Sequence, residues 1–173
     1  MTGFETSVRS HGRALAAQVV GWRSGGSLAG VGCRWKGRKC CNLVTSMIIG
    51  SGIDMVEIRR IQRSMDRYGS RFLNRVYTGA EQAYCLRKRN AAESFAARFA
   101  AKEAGAKALG TGISYGVSWL EFEVTRAASG RPSLQFHGRA AQIAARLGFA
   151  SVALSLTHTA ELAAASVVLE DGR

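Results

Sequence analysis

Residues 93–112, ESFAARFAAKEAGAKALGTG, decide how the rest of the chain is read. The stretch is rich in alanine, lacks proline and has no β-branched residue before Thr111, so it predicts a long helix. Phe95, Phe99 and Glu103 follow one another at four-residue steps. One helix face therefore carries two phenylalanines and then a carboxylate that turns inward with them. Arg98 and Lys102 form a second pair at that spacing, where like charges repel unless an anion lies between them. Gly110-Thr111-Gly112 ends the helix with residues that permit positive φ. Two readings stay open from the helix alone: an amphipathic core helix with solvated charges, or the wall of a site that holds both a metal and a phosphate.

On the N-terminal side, Arg87-Lys88-Arg89-Asn90 is a basic connection into this helix. Before it, Thr78-Gly79-Ala80-Glu81 has the spacing of a capping box and predicts a short helix through Leu86. Further back, Arg59, Arg63, Arg67, Arg71 and Arg75 fall at successive four-residue steps, with Arg60 adjacent and Asp66 as the one acid among them. Tyr68-Gly69-Ser70 is expected to break this stripe into two helical pieces. So many uncompensated arginines call for an acidic partner. Nothing in the stripe interleaves aromatics for base stacking, and no helix-turn-helix, zinc-finger or RNP pattern is present. An acidic protein helix is the preferred partner; a nucleic-acid-binding domain is the alternative.

Met47 to Ile53 (MIIGSGI) reads as a short apolar strand, followed by a helix that begins at Asp54. The Asp54-x-x-Glu57 spacing predicts Asp54 as its N-cap; the other reading is a metal-binding carboxylate at a strand end. On the C-terminal side, Trp119–Thr125 alternates like a strand, Ser129–Pro132 is a turn and Ser133–Phe136 is the returning strand. Arg139–Leu147 is a short helix closed by Gly148. Ser151–Thr157 alternates again, and Leu162–Leu169 is apolar enough to be central or buried. His158 keeps the parity of Val152, Leu154 and Leu156, which predicts a core-facing histidine, although a strand end is also a place from which to donate to a phosphate. The order strand, helices, two strands, helix, two strands gives an α+β domain.

With 173 residues there is room for one domain and one core. The formal charge of +12 points to an anionic partner, and it divides evenly between residues 1–46 and 47–173. Residues 1–46 hold seven Lys/Arg against Glu5 alone and show no sustained period, so they are expected to be a disordered or loosely attached extension, or an upstream start ahead of Met47. Their arginine-rich, acid-poor balance also fits an organelle transit peptide. The folded domain is placed at 47–173. No apolar run is long enough to cross a membrane. Cys33, Cys40, Cys41 and Cys85 show neither C-x-x-C nor zinc spacing, which fits a reducing cytoplasm.

Taken in order, these pieces resemble the holo-[acyl-carrier-protein] synthases, the small bacterial phosphopantetheinyl transferases. The resemblance spans Met47 to about Glu170 and is carried by five motifs in register. They are Gly52–Ile58 (GIDMVEI), Arg98–Ala104 (RFAAKEA), Lys107–Ile113 (KALGTGI), Gly130–Pro132 (GRP) and Ser155–Thr159 (SLTHT). It implies a small antiparallel sheet packed with helices, a homotrimer with sites in clefts between subunits, and no nucleic-acid or membrane partner. It also implies Mg²⁺-dependent transfer of 4′-phosphopantetheine from coenzyme A to a serine of acyl carrier protein. On it, Asp54 and Glu103 are expected to hold the Mg²⁺ and Lys102 to meet the diphosphate. Arg89, Arg98, Gly110, Thr111, Gly112, His158 and Thr159 are expected at the coenzyme A. Arg60, Arg67 and Arg71 are expected to receive the carrier protein. The general base is expected to be Glu103, with a deprotonated Lys102 as the alternative.

Overall fold

The computed structural model describes residues 34–35, 38–39, 46–113 and 116–172. The chain divides into two units, Met1–Asn42 and Leu43–Arg173. In the first unit the described residues are one antiparallel pair, β1 (Arg34–Trp35) with β2 (Arg38–Lys39). The expectation of disorder over 1–46 otherwise falls on residues outside those described.

The second unit begins with β3 (Ile48–Glu57) and continues through α1 (Ile58–Tyr68), α2 (Ser70–Val76), α3 (Gly79–Leu86) and α4 (Ala91–Ala108). A 3₁₀ turn (Trp119–Glu121) leads into β4 (Phe122–Arg126) and β5 (Pro132–Phe136), then α5 (Gly138–Arg146), β6 (Phe149–His158) and β7 (Leu162–Asp171). The strands form two antiparallel sheets, a three-stranded one ordered β3-β7-β6 and a hairpin of β4 with β5. The α+β class holds, and β7 takes the central place its apolar sequence predicts.

α4 is the spine of the unit. Phe95, Ala96, Ala100, Ala101, Ala104 and Ala106 are all fully buried, so the alanine-rich helix is buried over most of its girth and lies against the three-stranded sheet. Two glycines set how closely. A Cβ on Gly52 would stand 2.1 Å from the carbonyl oxygen of Ala104, and one on Gly50 2.1 Å from that of Ala108. With only hydrogen on those two residues, β3 seats directly on the backbone of α4.

Two sequence expectations are corrected here. The helix after the first strand does not start at Asp54: β3 runs on to Glu57, and Asp54↔Ala165 through Glu57↔Leu162 stay paired with β7. Glu57 is the N-cap of α1 and makes no side-chain cap bond. The ladder to β7 satisfies more backbone groups than a cap at Asp54 could, and it wins. Likewise Trp119–Glu121 is a 3₁₀ turn rather than the head of a strand. Glu121 accepts from the backbone N–H of Ser118 at 3.2 Å and of Ala140 at 2.8 Å, which closes the turn and draws the start of α5 against it. Other local signals hold. Thr78 and Glu81 form a complete capping box for α3, and Gly69 at φ 51° separates α1 from α2.

Candidate active site

Asp54 sits on β3 between Ile53 and Met55, whose side chains point out of the sheet, so strand alternation turns Asp54 towards α4. Glu103 is the α4 residue immediately before Ala104, on which Gly52 rests. The two carboxylates therefore come from different elements and converge because the glycine contact brings those elements together. Burial pushes Glu103 above the usual glutamate value, and the Asp54 carboxylate adds to that rise; Lys107 and Arg60 oppose it.

Lys107 closes the group. Its Nζ donates to Asp54 Oδ1 at 2.8 Å and to the carbonyl of Ile53 at 3.0 Å, while its side chain stays half exposed. This residue lies inside one of the motifs quoted from the sequence yet had been given no role. The signal was present: Glu103 and Lys107 are spaced i,i+4, acid before base, which puts an ammonium beside the inward carboxylate.

Lys102 does not join them. It is wholly buried on another face of α4, with its ammonium bonded to Glu81 Oε2 at 2.7 Å, to the carbonyl of Trp119 at 3.1 Å and to that of Phe122. Three protons meet three acceptors, so none is left for a diphosphate. The expected contact between Lys102 and the diphosphate, and its alternative use as base, are replaced by this internal pairing. Glu81 pairs with Lys102 and not with Arg98, whose positive charge still acts to lower the Lys102 value. Burial lowers the Lys102 value, and Glu81 opposes that.

Arg98 is also buried, with its guanidinium carbon 4.2 Å from the centre of the Tyr84 ring. It donates to the carbonyl of Ser94 at 3.2 Å, and its Nε has no partner within the described residues. Lys88 and Arg126 lie over the same ring at 4.6 and 5.1 Å, so Tyr84 gathers three cations. Arg89 is exposed in the connection between α3 and α4. His158 is the last residue of β6 and is exposed, with Nε2 3.8 Å from Glu93 Oε2. The core-facing reading fails because the parity of β6 carries His158 past the buried part of the sheet. Thr159 turns the chain towards β7, its Oγ1 accepting from the N–H of Glu161 and of Leu162. Gly110 and Gly112, at φ 73° and 56°, let the N–H groups of Thr111 and Gly112 both return to the carbonyl of Ala106, and Thr111 is buried beneath.

Thus one end of α4 carries Asp54, Glu103, Lys107 and the nearby Arg60, and the other carries Glu93 and His158. Ten residues of helix axis, about 15 Å, lie between Glu93 and Glu103. Arg59, Arg60, Arg63, Arg67 and Arg71 are all exposed along α1 and α2. The acid Asp66 is engaged by Gln62 at 2.7 Å, and among the described residues the one ion pair of the stripe is Arg63 with Glu57 at 4.0 Å on the open surface.

No group of three or more His, Cys, Asp or Glu side chains is arranged for a metal among the described residues. Two carboxylates with an ammonium beside them suit an ion that takes one or two protein oxygens and completes its shell with water and substrate phosphate, as Mg²⁺ does. The donors are hard oxygens, and a cation between them would offset the burial and the neighbouring carboxylate that raise the Glu103 value.

Residues 50–164 match the 4′-phosphopantetheinyl transferase superfamily. A holo-[acyl-carrier-protein] synthase of Koribacter versatilis is 58% identical over 125 residues, which cover 72% of this chain and all of that one. Among solved structures, the holo-[acyl-carrier-protein] synthase of Neisseria meningitidis aligns with a TM-score of 0.67 at 34% identity, over 72% of this chain and 100% of that one. The Bacillus anthracis synthase, in complex with CoA (3′,5′-ADP), aligns with a TM-score of 0.59 at 38% identity, over 72% and 98% of the two chains. With the site's carboxylates, lysine and glycines all inside the matched span, the chain belongs to the 4′-phosphopantetheinyl transferase superfamily and, within it, to the holo-[acyl-carrier-protein] synthases.

Proposed function

We propose that the protein moves 4′-phosphopantetheine from coenzyme A to a serine of apo acyl carrier protein, with Asp54 and Glu103 holding one Mg²⁺. The observation that carries this is the convergence of Asp54 and Glu103 across the glycine contact, with Lys107 bonded to Asp54. In the reaction the serine oxygen forms a bond to the phosphorus that bears pantetheine. The bond from that phosphorus to the oxygen of adenosine 3′,5′-bisphosphate breaks, and the serine proton is taken up. When bound, the ion supplies charge neutralisation at the diphosphate.

The remaining work falls to side chains. Glu103, the carboxylate that α4 presents beside Asp54, is the group we assign to receive the serine proton. Lys107, half exposed at the mouth of the site, takes the diphosphate role expected of Lys102 and offsets charge on the leaving oxygen. Arg89, Arg98, His158 and Thr159, with the 110–112 turn, are assigned to coenzyme A; the uncompensated arginines Arg60, Arg67 and Arg71 are assigned to the acidic surface of the carrier.

We also read the working form as a homotrimer. Ile48, Ile53 and Met55 on the outward face of β3 are 67%, 69% and 62% exposed, beside Ser166 on β7 and Ala153 and Ser155 on β6. A flat face of apolar and small residues is suited to burial against further copies. Clefts between copies allow the two ends of α4, about 15 Å apart, to serve one substrate from different chains. Cytoplasmic placement rests on the buried, unpaired Cys85 and the cysteine spacing.

Thermal melting of the full chain tests the ligand reading. Coenzyme A is expected to raise the melting temperature with Mg²⁺ and to do so far less with a chelator. Stabilisation by short duplex DNA or RNA, with none by coenzyme A, would contradict it.

A further inference from the structure

We propose that the buried Glu81–Lys102 pair is a positioning device that fixes the rotation of α4 and so the place where Glu103 meets Asp54. This rests on the reading above, in which Asp54 and Glu103 hold the metal. Lys102 is bonded to three separate pieces of chain: Glu81 on α3, Trp119 in the 3₁₀ turn and Phe122 at the head of β4. Glu81 is held in turn. Its Oε2 also accepts from the N–H of Thr78 at 2.9 Å, and its Oε1 accepts from the N–H of Val124 at 3.0 Å. From there the polar chain continues, because Thr78 Oγ1 donates to Glu123 Oε1 at 2.9 Å and Glu123 Oε2 lies 2.9 Å from His137 Nε2.

Consecutive helix residues project roughly 100° apart, so fixing Lys102 by three directional bonds fixes the heading of Glu103. The opposite contact cannot do this alone. Gly50 and Gly52 let β3 approach α4, and across that contact Lys107 ties Asp54 and the Ile53 carbonyl from a half-exposed side chain, which leaves it freer than the buried Lys102. Lys102 and Glu81 supply direction where the glycines supply closeness. A buried ion pair is a poor way to gain stability compared with apolar residues of the same volume, so stability and geometry can be separated by experiment.

The test uses the full chain with Lys102→Met and Glu81→Gln together, which leaves no buried unpaired charge, and with Glu81→Asp, which keeps the charge but draws it back by one methylene. Melting temperature is measured, then Mn²⁺ binding by electron paramagnetic resonance with coenzyme A present and no carrier, then coenzyme A binding and turnover. The double variant is expected to melt near the wild-type temperature, bind Mn²⁺ at least about tenfold more weakly and lose kcat in step. With metal saturating for each protein, its KM for coenzyme A should stay within about twofold, as a group that does not touch that substrate requires. Glu81→Asp is expected to weaken Mn²⁺ binding in the same direction. Wild-type Mn²⁺ affinity in both variants would overturn the proposal alone, leaving the pair a structural contact. Weakened coenzyme A binding with Mn²⁺ affinity unchanged would overturn it too, by placing Lys102 at the diphosphate. Wild-type protein that binds no Mn²⁺ would overturn the metal reading and this proposal together.

Discussion

Glu103 is a carboxylate placed where ionisation is unfavourable until a cation arrives. Its value is raised by burial first and by Asp54 second. A raised value means that its contribution to stability is present below the ordinary glutamate range and is lost as pH rises through the folded-state value. In metal-free protein, Glu103→Gln is therefore expected to raise the melting temperature at pH 7–8, with the difference vanishing below about pH 4. A variant less stable than wild type at neutral pH would count against the electrostatic strain. Lys107→Met removes the ammonium from Asp54 and is expected to lower kcat by about 10²-fold or more while the fold is kept, measured by steady-state transfer. Of these three residues, Asp54 reads first as an N-cap and Glu103 as an inward carboxylate of open purpose, and the resemblance alone gives both a metal role; Lys107 carries the i,i+4 signal beside Glu103, but its bond to Asp54 joins residues 53 positions apart.

At the scale of elements, the contact between β3 and α4 determines whether there is a site. Gly52→Ala puts a methyl group against the carbonyl of Ala104, a backbone atom that no rotamer change can move aside. The variant is expected to lose about 3 kcal/mol or more, at or beyond the upper end for overpacking, and to lose activity with it; chemical denaturation measures the first and transfer the second. A fully stable Gly52→Ala protein would show that the strand and helix are not seated on one another. Helix α4, the break at Gly69 and the capping box at Thr78 were legible because each is specified within a few residues. The continuation of β3 past Asp54 was not, because its partners are Ala165 to Leu162, more than 100 positions away. Glu81 was hidden by pairing across elements: as the last member of a capping box it reads as a surface acid, yet it is 1% exposed and paired with Lys102 on α4.

For the whole molecule, the outward face of the three-stranded sheet and the arginine stripe are the two surfaces we propose for different partners. Ile53→Glu, on the face opposite Asp54, is expected to convert the proposed trimer to smaller species, seen by light scattering after gel filtration; an unchanged mass would place the proposed subunit contact elsewhere. Arg67→Glu is expected to raise the KM for carrier protein several-fold and leave that for coenzyme A unchanged, since it reverses one charge of an exposed stripe. The account as a whole stands on the two carboxylates, and one measurement addresses them directly. The full chain is incubated with apo acyl carrier protein, coenzyme A and Mg²⁺, beside Asp54→Ala and Glu103→Ala proteins of confirmed fold, and the carrier is weighed by intact-mass spectrometry. The account predicts that wild-type protein adds one phosphopantetheine arm and that neither variant does; a carrier left unmodified by the wild type, or modified at a near-normal rate by either variant, would contradict it.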